Sequence, residues 1–479
     1  MKPLTLSTPW KFLEEQALNH REDVIQPYQN TAVSACGITL DFSHQRLSDL
    51  TLENLCALAQ QRGLSEKIQA LMQGQIVNLS ENRPALHTAL RLPNATSIPI
   101  HPRIMEDVQF AMNEMQAIVN KLRNQQWLGH SGAPITDVVN IGVGGSDLGP
   151  RFCMQGLGDY VTHDLSFHFI SNADPNAFHR ISKNLNPHTT LFIISSKSFT
   201  TDETLYNAQK AIAWINNPQG QRQHFIAVTA HPMRAYELGL VHVLPIWSWV
   251  GGRYSFCSAI NLITAIAIGW DNFQSMLNGA HSMDMHFKDA DFKDNLPVLL
   301  ALLGIWTNNF LSIHNVLMLV YAEQLEQFVA YVQQLDMESN GKSHDHHGNE
   351  VKYSTGPMIW GGLGNQVQHS YFQLLCQGTH KVALDFITLD TYDEHMINQM
   401  CSAKINVLTK GVVDSQNPHG YIAGKIPLNH IRLSDCSPYT LGALIALYEH
   451  KIYTQSVIWD INPFDQPGVE SAKRFRTMA

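Results

Sequence analysis

The chain has 479 residues, of which 44% are apolar and 15% charged, with a formal net charge of −9. Such a length predicts two or three globular units with large cores, and the composition excludes a disordered or membrane-embedded chain. The acidic balance speaks against a general nucleic-acid binder, so any anion site must be local.

The opening run MKPLTLSTPWKFLEEQ lacks the apolar core of a secretion signal. The longest apolar stretches, near 296–306 and 259–270, are too short to span a membrane. The seven cysteines (36, 56, 153, 257, 376, 401 and 436) are odd in number and form no C-x-x-C pair. Free thiols in a reducing, cytoplasmic compartment are expected. Periodic apolar positions predict helices over Leu47–Met72 and Met105–Leu122. The chain then alternates. Buried strands are expected at Val138–Ile141, Leu165–Ile170, Thr190–Ile194 and His224–Val228, with helices between them and hence a parallel sheet. The second half reads as helical over Leu296–Leu335, with strands at Val382–Ile387 and Ser456–Asp460. The expected fold class is α/β: two αβα units at 121–280 and 281–479, behind a mainly helical segment, 1–120.

Six segments carry chemistry. In Ile141–Gly149 (IGVGGSDLG), Gly144 and Gly145 permit close backbone approach to a ligand, and Ser146 adds a donor. Asp147 takes the third glycine position of the dinucleotide fingerprint, which spoils that match; a purely structural turn is the alternative. Ser195–Thr201 places five hydroxyls and the Lys197 ammonium between an apolar strand and a helix. Hydroxyls, ammonium and helix start together suit a phosphate dianion, although Thr201 or Asp202 as a helix cap would explain part of the composition. Arg253 follows two glycines and precedes an apolar helix, so it needs an anionic partner, in substrate or in protein.

Gln334 and Glu338 are four apart on the end of a long helix, with Gly341 as its expected cap. A carboxylate there is disfavoured by the dipole, which suits a general base unless solvent screens it. His369 follows Trp360-Gly361-Gly362-Leu363-Gly364, read as a glycine-rich turn, and is either a donor to substrate or a histidine satisfied by backbone. Pro467 is expected to open a last helix bearing Lys473, which is solvated on the simplest reading. The run His344-Asp345-His346-His347 has no ligand-pair spacing and is expected to be an exposed turn, not a metal site.

Taken together, IGVGGSDLGP (141–150), SSKSFTTDET (195–204), VGGRYS (250–255), QQLDMESNGK (333–342), the WG…G…QH run (360–369) and the run from Gly442 to Lys473 resemble the phosphoglucose isomerase family, in its order. The resemblance implies two sugar-isomerase (SIS-type) αβα domains, a homodimer, and cofactor-free interconversion of glucose 6-phosphate and fructose 6-phosphate. It implies that Ser196, Lys197, Ser198 and Thr201 hold phosphate and that Gly145 and Ser146 line the sugar site. Gln334 would contact substrate beside the base, Glu338. His369, from the partner subunit, and Lys473 would assist ring opening, and Arg253 would face the intermediate. Gly362, Asn261 and Pro467 depart from residues common in the family (glutamate, glycine and tryptophan). Rival classes are a nicotinamide-dependent oxidoreductase and a non-catalytic sugar-phosphate-binding regulator.

Overall fold

The computed structural model describes residues 3–19, 31–93, 98–218, 220–413 and 417–476. The chain divides into two compact units, one of Met1–Pro84 with Gly279–Ala479 and one of Ala85–Asn278. Residues expected as a segment ahead of both sheets are thus shared between the units, changing hands at Pro84.

In chain order the strands are β1 (Ala32–Ala35), β2 (Ile38–Asp41), β3 (Ile76–Asn78), β4 (Arg83–Pro84), β5 (Asp137–Ile141), β6 (Ser166–Ile170), β7 (Thr190–Ser195), β8 (Phe225–Thr229), β9 (His242–Pro245), β10 (Asn315–Val320), β11 (Met358–Leu363), β12 (Ala383–Leu389) and β13 (Leu428–Leu433).

The Ala85–Asn278 unit is built on a parallel sheet of order β6-β5-β7-β8-β9. Alternate residues of its central strands point to opposite faces. Val139, Ile141, Phe192, Ile194, Phe225 and Ala227 form one core with the helices Ala177–Ser182 and Asp202–Ile215. Val138, Leu191, Ile193, Ile226 and Val228, of the other parity, are equally buried. Both faces are covered, which explains why these strands read as continuous apolar runs rather than alternating ones. The helix Pro102–Arg123 starts with proline in its first turn and buries Val108, Ala111, Met112, Met115, Ile118, Val119 and Leu122, a helical stripe.

The other unit has a six-stranded sheet of order β1-β2-β13-β12-β10-β11. β10 through β13 are parallel and β1–β2 is an antiparallel hairpin laid on β13. Cys36 and Gly37 make the hairpin turn with φ of +53° and +76°, the positive pair that a twisted two-residue hairpin needs. One sheet face packs Leu317, Leu319, Leu384, Phe386 and Leu428 against Cys401, Ile405 and Leu408 of the helix Met396–Lys410. The helix Pro438–Trp459, capped by Ser437 Oγ on Thr440 N, is buried at nearly every position.

Three expectations change here. Leu296–Leu335 is not continuously helical: it holds the helix Leu296–Ile305, then β10, then the helix Glu326–Val332. Ser456–Asp460 is not a strand but mostly the last turn of the buried helix, so its β-branched residues were overridden by tertiary burial. Trp360–Gly362 is not a turn but part of the edge strand β11; a Cβ at Gly361 would lie 1.9 Å from Met318 O, so its neighbour β10 demands the glycine. Gly341 does follow the last helical residue, but it is not among the residues of positive φ. It is a glycine because a Cβ there would meet Met337 O at 2.4 Å.

Candidate active site

In the Ala85–Asn278 unit, Gly145, Ser146, Ser196, Lys197, Ser198 and Thr201 all stand beyond the carboxyl ends of β5 and β7. These adjacent strands are where the sheet order reverses direction, the place where open α/β sheets bind ligands. Buried Asn140 ties the two ends together: its Nδ2 donates to Ser146 O (3.0 Å) and its Oδ1 accepts from Ser195 Oγ (2.9 Å). The lone amide in an apolar strand was the available signal for it.

Gly145 packs on the backbone of the turn Gly252–Tyr254. A Cβ would fall 2.1 Å from Gly252 O and 2.6 Å from Arg253 N, so only glycine brings Arg253 this close to the β5 turn. Asp147 does not face outward from that turn. It is buried, with Oδ1 and Oδ2 accepting from Arg151 Nη2 (2.8 Å) and Nε (3.1 Å), and burial pushes its pKa up against the pull of Arg151. Asp147 thus takes the third glycine position of the dinucleotide fingerprint with its carboxylate turned inward onto Arg151. Arg253 is 3% exposed, with its guanidinium 5.6 Å from the Tyr254 ring centre.

The loop after β7 is shaped by its own hydrogen bonds. Ser196 Oγ accepts from Phe199 N (3.1 Å), and Thr200 Oγ1 lies 2.9 Å from Ser198 Oγ. Phe199 adopts φ +51° with its ring buried, a costly conformation for a bulky residue that clusters at functional loops. Lys197 Nζ donates to Val250 O (2.9 Å), while Lys197 O accepts from Ala230 N (3.0 Å). Thr201 occupies the cap position of the helix Asp202–Ile215, yet its side chain makes no cap bond and instead meets Ser196 Oγ (3.4 Å). The positive end of the helix dipole at this point favours an anion. Arg234 Nη1 also donates to Ser198 O, a contribution that no local pattern announces.

In the other unit, the helix Glu326–Val332 widens into a π-helical turn, Gln333–Glu338. Such insertions are rare and favour functional sites. The turn brings Gln334 Nε2 to 3.0 Å from Glu338 Oε2, and Glu338 is half-buried. Lys342 Nζ closes the helix end on Glu338 O (2.9 Å) and Ser339 O (2.8 Å). His369 is exposed on the turn after the short helix Gly364–Val367, its N–H donating to Gln366 O (3.0 Å). Lys473 is exposed on the helix Pro467–Arg476, 3.5 Å from Glu470 Oε1. In the His344–His347 turn, Asp345 Oδ1 accepts from His347 N and Asn349 N (2.8 Å each), so this carboxylate shapes the turn. Of the three departures, Asn261 is buried with Nδ2 on Phe256 O (3.0 Å). Gly362 sits at φ +152° with open space beside it, and Pro467 starts the last helix.

Two αβα units with largely parallel sheets, one ending in a phosphate-type loop and the other carrying a hydrogen-bonded carboxylate, place the protein in the sugar-isomerase fold class. Residues 41–478 match the model of the family described as phosphoglucose isomerase. Glucose-6-phosphate isomerase of Legionella pneumophila (strain Paris) is 57% identical over 482 residues, covering 99% of this chain and 97% of the relative. That of Hahella chejuensis is 40% identical, covering 97% and 90%. The crystal structure of a glucose-6-phosphate isomerase from Chlamydia trachomatis superposes with a TM-score of 0.90 at 30% identity, covering 100% of this chain and 96% of that one. The chain belongs to the phosphoglucose isomerase family.

Proposed function

We infer that the protein interconverts glucose 6-phosphate and fructose 6-phosphate by moving one proton between C2 and C1 through a cis-enediol(ate). The observation that carries the chemistry is the Gln334–Glu338 contact on the π-turn: a half-buried carboxylate oriented by an amide one turn away. Glu338 takes the C2 proton while O1 gains a proton to give the enediol. The same carboxyl returns a proton to C1 while the C2 hydroxyl loses its proton and becomes the carbonyl, so the protons on oxygen cancel. General base catalysis of this kind contributes about 10²–10⁴-fold. Oxidation at C2 is balanced by reduction at C1 of the same sugar, so the step requires no external electron acceptor.

Ser196, Lys197, Ser198 and Thr201 hold the phosphate, with the N-terminus of the helix Asp202–Ile215 adding backbone donors. Remote binding of this charged group positions the reacting carbons. Gly145 and Ser146 line the sugar, and Arg253 stabilises charge developing on the enediolate oxygens. Lys473 and His369 open the sugar ring. His369 comes from the partner of a homodimer, a role consistent with its exposure on a turn. All seven cysteines lie among the described residues and none forms a disulfide, which supports a reducing, cytoplasmic setting. No helix among the described residues is long and apolar enough to cross a membrane.

The test is an assay of fructose 6-phosphate conversion with Glu338→Gln, which keeps shape but cannot accept a proton. Near-normal turnover would refute the assignment of the base.

A further inference from the structure

Behind the π-turn lies a set of buried polar groups that the proton transfer itself does not use. Asp336, fully buried, pairs with Lys451 of the helix Pro438–Trp459. Asn340, also fully buried, donates through Nδ2 to Asp336 Oδ1 (3.2 Å) and lies 3.3 Å from Gln455 Oε1. Gln455 is anchored in turn on Ala301 O (3.3 Å), and Gly304 clears the space for it, since a Cβ there would meet Gln455 Nε2 at 2.5 Å. Asp336 and Asn340 are four apart on one helix; Lys451 and Gln455 are four apart on the other. Each pair shares a face, so the two helices grip one another through a two-by-two clasp. Asp385 on β12 adds a second buried carboxyl within electrostatic reach of Lys451, and the buried chain Gln45–Asn429–Asp385 holds it by hydrogen bonds of 2.8 and 2.7 Å.

A π-turn inserts an extra residue and has poorer intrinsic stability than the α-helix it interrupts, so something must hold it against relaxing. Isolated hydrophobic contacts slide; a buried, hydrogen-bonded ion pair does not, because moving it apart strands a charge in the core. Asp336 lies within Gln333–Glu338, two residues from Glu338 and two from Gln334. We propose that Asp336 and Lys451, with Asn340 and Gln455, are positioning residues that fix the π-turn and thereby aim Glu338. This rests on the reading of Glu338 as the base.

The decisive variant is the double replacement Asp336→Asn with Lys451→Met, which removes both charges together and so avoids an orphaned one. It should fold with a near-normal circular dichroism spectrum. Its kcat should fall about tenfold to a hundredfold, as misplacement by about 1 Å does. Its KM for fructose 6-phosphate should change less than about threefold, because only alignment in the reacting state is lost. Deuterium wash-in from solvent per turnover should rise, since a misaimed carboxyl returns its proton late. A pair that merely stabilises the fold would leave kcat and wash-in unchanged in the folded variant, and that result overturns the proposal. Asn340→Ala keeps the ion pair, removes only the bridge, and tests the same clasp should the double variant not fold. A loss of kcat of about threefold or more at constant KM is expected, and unchanged kcat overturns the proposal. Glu338→Gln is measured alongside: full activity there would locate the failure in the base assignment, not in the clasp.

Discussion

In the Ala85–Asn278 unit most of the residues proposed to hold substrate come straight off strand ends, and three of them rest on backbone groups. Gly145 rests on Gly252 O, Lys197 on Val250 O, and Ser196 on Phe199 N. In the other unit the proposed base stands on no strand at all. Glu338 belongs to a distorted helix whose geometry is set by side chains buried behind it, Asp336, Asn340, Lys451 and Gln455. One region uses main-chain turns to make a donor-rich cradle, which suits binding a group of fixed charge and shape. The other uses a side-chain network to aim one carboxylate, which suits a reaction sensitive to fractions of an ångström. Binding and chemistry should therefore fail separately.

The largest expected effect is Glu338→Gln, with kcat lowered about 10²–10⁴-fold and the melting temperature preserved. If substrate affinity measured by titration fell equally, the division between the two regions would be lost. Lys197→Ala should weaken phosphorylated ligands by about 10- to 100-fold, the worth of a charge-assisted hydrogen bond, while leaving unphosphorylated sugar analogues unaffected. Equal losses on both ligands would point to a disturbed fold instead. Gly145→Ala should force the Gly252 turn outward and cost about 1–3 kcal/mol of stability by overpacking, read by denaturant titration. An unchanged midpoint would mean that the β5 turn does not rest on Gly252.

The smallest effect is a pH dependence far from this chemistry. His224 is buried, with Nδ1 donating to Thr190 O and His130 Nδ1 only 2.9 Å from its Nε2; burial first, then the neighbours His130 and His188, hold its pKa below the usual imidazole value. The unfolded chain therefore binds more protons than the folded one below the ordinary pKa of about 6.5. This contribution to stability is complete above that pH and is lost as the pH falls. The melting temperature should be lower at pH 5.5 than at 7.5, with a shallower slope in His130→Asn. A slope of opposite sign would contradict the burial of His224.

The same contrast governs what the sequence disclosed. β5, β6, β7 and β8 were legible because each is a short apolar run bounded by turn residues, and the hydroxyl-rich loop follows one directly. β10 was not, because Asn315–Val320 lies between apolar helices and a fully buried strand has no period to distinguish it from them. β11 was masked by Gly361 and Gly362, whose reason is the closeness of Met318 O, a contact more than forty residues distant in sequence. For Glu338, spacing showed that Gln334 shares its face, but not that the helix widens there. That widening depends on partners more than a hundred residues away on the helix Pro438–Trp459.

The most direct test of the account is deuterium exchange in heavy water, comparing the unaltered protein with Glu338→Gln on hexose 6-phosphate. The account predicts label entering C1 and C2 with the unaltered protein and none with Glu338→Gln, even where the variant still binds substrate. Exchange at a comparable rate in the variant would show that another group carries the proton.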